Sequence, residues 1–173
     1  MAAKFAKWLL VALLPPSLAQ AGQVSGPADL FELAKQNFAA ATAELELALA
    51  QCQAAEQVVD LPRADTIPAS KQDLLLAVNY HNTRLKNECS GDALRSFYVA
   101  GQIVRTLMPP EAESDLPGFE LVDDALEYWI GEIRAKAQYH DAVSPERRAA
   151  IEAQLSGVTA PFDMILSWEK SGN

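Results

Sequence analysis

From Phe31 to Val59 an apolar residue recurs at every third or fourth position, through Ala34, Phe38, Ala41, Leu45, Ala48, Cys52 and Ala55. That spacing places one continuous stripe along one side of an α-helix for about four heptads. It therefore requires a long helix, predicted over about residues 28–59, and a surface to cover it. Alternate members of the stripe are alanine, so a neighbouring helix can approach closely. Packing inside a bundle is the expected use.

The rest of the chain repeats the pattern. A second helix is predicted from Ser70 to Cys89, with Leu75, Val78, Asn82, Leu85 and Cys89 on its stripe. Gly91 suits a C-cap and Asp92 a new N-cap. A third helix is predicted from Ala93 to Met108, on the stripe Leu94, Phe97, Gly101, Val104 and Met108, stopped by Pro109 and Pro110. The fourth runs from Gly118 to His140 on Phe119, Val122, Leu126, Trp129, Ile133, Ala137 and His140. Ser144 followed by Pro145 opens a short helix to about Ser156. A last one covers about Pro161 to Lys170. No stretch sustains period-two alternation. The expected fold is all-α, a four-helix-bundle-like core with two short C-terminal helices and one disulfide.

Residues 1–21 have the order of a secretory leader. Lys4 and Lys7 lead into an apolar run from Phe5 to Leu14, and Ala19-Gln20-Ala21 offers a small-residue cleavage site. The run is about ten residues, against roughly 20 for a membrane span, so no stable membrane insertion is expected after cleavage. Residues 22–173 then form a single helical domain outside the cytoplasm, periplasmic or secreted. There, Cys52 and Cys89, the chain's two cysteines, are expected to pair. A tight antiparallel hairpin of the first two helices would leave them roughly 18 Å apart along the axis, too far for a disulfide. The connection around residues 60–69 must instead run along the bundle, or helix two must cross helix one obliquely.

The chain has 14 Lys+Arg and 23 Asp+Glu. The leader holds two of the lysines and none of the acids, which leaves a net charge of −11 for residues 22–173. Nucleic acid and anionic membranes repel such a surface. Asp123 with Glu127, and Glu120 with Asp124, share a helix face at i,i+4 spacing and read as a solvated acidic patch continuing from the link 111–115.

There are two histidines, His81 and His140. No Glu-x-x-His, His-Glu-x-x-His, Cys-x-x-Cys or Gly-x-Ser-x-Gly occurs, so no metal, cofactor or nucleophile has a motif. The most polar helix interior is Asn79–Arg84. Asn82 sits on the stripe itself, so the first expectation is that this segment fixes helix register or is partly exposed; alternatively His81, Asn82 and Arg84 could line a pocket with Tyr98, and Arg84, Arg95 and Arg105 could form an anion-binding cluster. In leader, size, helicity and single disulfide the chain is similar to exported chorismate mutases. That likeness of architecture implies a helical enzyme using the Arg cluster, although helix one offers only Lys35. The primary functional expectation is binding to another, unidentified protein, in an accessory, chaperone-like or immunity role without catalysis. The alternative is a small-molecule-binding or chorismate-mutase-like protein.

Overall fold

A computed structural model describes residues 26–110 and 116–173. The leader and the link 111–115 lie outside the described residues. Five α-helices follow in order: α1 Pro27–Ala54, α2 Lys71–Leu107, α3 Val122–Ala142, α4 Pro145–Leu155 and α5 Met164–Lys170. Single 3-10 turns cover Ala64–Thr66 and Phe119–Leu121. The fold is all-α, and α1, α2 and α3 pack as a bundle-like core.

The organising element is α2. It spans 37 residues, about 55 Å of helix, and replaces the two helices predicted for 70–89 and 93–108. Gly91 and Asp92 do not interrupt it. A glycine inside a helix costs only about 1 kcal/mol, and the flanking turns bury Asn87, Ser90, Ala93, Leu94 and Phe97. Burial on both sides of the glycine outweighs its local preference. The core therefore has three long helices. The N-terminus of α2 is fixed by a capping box: Asp73 N–H donates to Ser70 Oγ, and Ser70 N–H donates to Asp73 Oδ2.

α1 and α3 both lie antiparallel to α2. Phe38 meets Phe97 at 5.2 Å between ring centroids, and Phe119 sets its edge against Phe38. Gly101 lets α3 begin close to α2, since a Cβ there would stand 2.5 Å from Val122 Cγ2. On α3 the buried residues are Val122, Ala125, Ala135 and Tyr139. Leu126 and Ile133, predicted for its inner stripe, are 42% and 69% exposed. The predicted stripe assumed that apolar character alone marks the inner face. In the structure the face turned to α2 also carries polar Glu132, bonded to Asn87.

α2 carries two apolar cores end to end. Its second half packs with α1 and the start of α3 around Phe38, Phe97, Val104 and Val122. Its first half packs with the end of α3, with α4, and with the connections, around Leu61, Leu74, Val78, Tyr139, Ile151 and Phe162. The Cys52–Cys89 disulfide, with 5.9 Å between Cα atoms, joins the end of α1 to the middle of α2, between these cores. The chain from 55 to 70 therefore cannot turn back tightly and runs along the first half of α2, burying Leu61. α1 ends at Ala54 rather than near Val59 because this stretch is held extended from outside. Gln57 bridges Phe162 as a single β-type pair, Val59 N–H donates to Ser167 Oγ, and Leu61 N–H donates to Ser171 Oγ. Ala64 N–H reaches Asn173 Oδ1.

Candidate ligand pocket

The first half of α2, the last two turns of α3, α4 and the loop 156–159 line a half-open pocket of about 510 Å³. Its walls bring together Tyr80, His81, Arg84 and Glu88 from α2 with Lys136, Tyr139 and His140 from α3 and Glu152 from α4. Both histidines of the chain are among them. The size falls within the range of small-molecule sites.

The antiparallel register of α2 and α3 places these groups. Tyr80 stacks on Tyr139 at 5.8 Å and meets the edge of His140 at 6.2 Å. Two turns on, Asn87 Nδ2 donates to Glu132 Oε2. Between those two pairings, Arg84 and Lys136 stand on facing turns. Two arginines hold α4 against α2 and the end of α3. Arg147 Nη1 donates to buried Asp73 Oδ2 at 3.1 Å. Arg148 Nη1 donates to the carbonyls of His140 and Val143 at 2.7 and 2.8 Å, closing the C-terminal end of α3. The Asp73 carboxyl is held below the ordinary range by its hydrogen bond from the Ser70 backbone, with further help from the Ser70 hydroxyl and Arg147.

His81 is fixed in one neutral tautomer by its partners. Nε2 lies 2.8 Å from the Val158 carbonyl oxygen, which only accepts, so Nε2 carries the hydrogen. Nδ1 lies 3.3 Å from Arg84 Nη2, which only donates, so Nδ1 carries the lone pair. Burial first, then the Arg84 charge, push its pKa below 6.5, against the opposing pull of Val158, Glu88 and Glu152. The ring thereby steers the guanidinium. Arg84 Nε is buried without a hydrogen bond, and Glu88 Oε1 stands 3.5 Å from it as an ion pair. On the other wall, burial and the Glu152 charge push the Tyr139 phenol well above its ordinary value. Its hydroxyl lies 3.4 Å from both Arg148 O and Glu152 Oε1.

The arginine cluster expected from the sequence divides. Arg84 lines the pocket. Arg95 pairs with Asp92 in solvent. Arg105 pairs with Asp123 and lies over the Phe119 ring. On one straight helix Arg84 and Arg105 are about 31 Å apart, so no single anion meets all three. Asn82 is buried and points away from the pocket, where its Oδ1 accepts from Phe162 N–H and seats the loop before α5. Tyr98 packs edge-on against Trp129 in the other core. The acidic pairs of α3 stay at the surface, Asp123 with Arg105 and Glu127 with Arg134.

Lys136, Tyr139 and Glu152 were not singled out by sequence reasoning, and His140 was named with His81 only as the second histidine. Only the register of α2 against α3 and the clamp on α4 bring them together. Among the described residues no group of three or more His, Cys, Asp or Glu is placed to hold a metal ion, and no helix is long and apolar enough to cross a membrane. No protein-family model, curated protein or solved structure matches the chain.

Proposed function

We propose that this chain is an exported helical protein that binds a small molecule in the pocket between α2, α3 and α4. One observation carries the reading: both histidines, an arginine and a lysine line a 510 Å³ hollow with two tyrosines, whereas Arg95 and Arg105 are engaged at the surface. Export is supported by the leader-like order of residues 1–21 and fits a chain stapled by a disulfide. The test is a thermal-shift screen of small metabolites on the wild type and on Ser156→Trp, which puts an indole into the pocket wall. Compounds that raise the wild-type midpoint and fail on the variant support the reading. A screen in which every stabilising compound acts equally on both contradicts it.

Docking of another protein keeps a separate supporting observation. Val99 and Ile103, one turn apart on α2, are 50% and 48% exposed beside Tyr98 and Leu107 in a shallow apolar groove. Ile103→Glu should leave the unfolding midpoint unchanged and abolish binding to such a partner. Unaltered binding by that variant removes this surface from consideration.

A further inference from the structure

We infer that the pocket selects a ligand carrying an anionic group on a flat apolar body, with the anion on Arg84 and Lys136 and the flat body against Tyr80; this rests on the small-molecule reading above. Arg84 is oriented before any ligand arrives. His81 Nδ1 takes one Nη2 hydrogen, and the His81 ring is itself tied to the Val158 carbonyl. The other guanidinium hydrogens on Nη1 and Nη2 have no acceptor among the described residues. A guanidinium held this way keeps its remaining Nη hydrogens for an incoming carboxylate or phosphate oxygen.

Lys136 faces it from α3 and makes no ion pair among the described residues, while nine of the other lysines and arginines described do. In a chain of net charge −9, a lysine that makes no ion pair and lines the same pocket as Arg84 marks a place suited to an incoming anion. Tyr80 supplies a half-buried flat surface, backed by Tyr139 at 5.8 Å. Two carboxylates compete from within the pocket: Glu152 on the α4 wall, which accepts from the Tyr139 hydroxyl, and, nearer to Arg84, Glu88, which stands 3.5 Å from Nε without hydrogen-bond geometry.

The nearer competitor gives a sign test. Benzoate, benzyl alcohol and benzylammonium share a ring and differ in charge, and each can be titrated into the full-length protein while the His81 and His140 ring signals are followed by NMR. Benzoate is expected to bind most tightly. Arg84→Gln and Lys136→Gln should each weaken it about tenfold, whereas Glu88→Gln should tighten it. Lys136 is solvent-exposed, so its variant keeps the test valid should Arg84→Gln disturb folding. Equal or tighter binding of benzyl alcohol or benzylammonium, or weaker benzoate binding by Glu88→Gln, overturns the anion assignment and leaves the small-molecule reading standing. Failure of all three probes to move either histidine at millimolar concentration overturns the assignment of a flat anionic ligand, while the small-molecule reading is overturned only by the thermal-shift screen.

Discussion

Gly91 and Gly101 share one helix, yet alanine at the two positions should act in opposite directions. A Cβ on Gly91 meets nothing within 4 Å, so Gly91→Ala should raise unfolding free energy by roughly 0.5–1 kcal/mol in chemical denaturation. A Cβ on Gly101 would stand 2.5 and 2.9 Å from the two Val122 methyls, so Gly101→Ala should lower it by about 1–3 kcal/mol. His81 governs a pH response. Its folded pKa lies below its unfolded value of 6.5, so the unfolded chain takes up the proton first as pH falls. The stabilisation is complete above about pH 6.5 and is lost as pH falls through the depressed folded value. Asp73 acts in a lower window, its contribution being lost only as pH falls below 3.8. Denaturation midpoints across pH should therefore decline below 6.5, and His81→Gln should flatten that upper part of the curve while leaving the acid limb.

At the scale of elements, the disulfide and the clips on the linker divide the work of holding α1 and α2 in place. Closing a separation of 37 residues stabilises by roughly 3–4 kcal/mol on the chain-entropy model. Cys52→Ser with Cys89→Ser should cost about that much, read as a shift of the denaturant midpoint. The extended stretch after α1 relies on fully buried Ser167 and on Ser171. Ser167→Ala should accelerate hydrogen exchange at the Val59 amide while the amides inside α1 stay protected. Much of this level was legible from residues. The seam of α1, the Ser144-Pro145 start of α4 and the pairing of Cys52 with Cys89 were legible in local spacing and in the presence of just two cysteines, and a bridge between those positions excludes a tight hairpin. The continuity of α2 was not legible. Gly91 and Asp92 are correct stop and start signals locally, and only the burial of Asn87, Ser90 and Leu94 around them overrides those signals.

For the whole molecule, two cores are threaded on α2, and the pocket opens beside the one that α4, α5 and the connections complete. Sequence spacing found His81 and Arg84 because they share a helix turn. It grouped Arg95 and Arg105 with them through residue type alone, without a register that could separate them. Lys136 and His140 become partners of Arg84 and Tyr80 only once α3 is laid antiparallel on α2, and Glu152 only once Arg147 and Arg148 have seated α4. The chain has just two histidines, and both line the pocket, so histidine ring NMR observes that one place in the molecule. The most direct measurement is a titration of the compounds that stabilise the protein, followed through the ring signals of His81 and His140. Saturable shifts of both rings, lost in Ser156→Trp, are expected. Stabilising compounds that leave both rings unmoved would contradict the assignment of the pocket as the binding site.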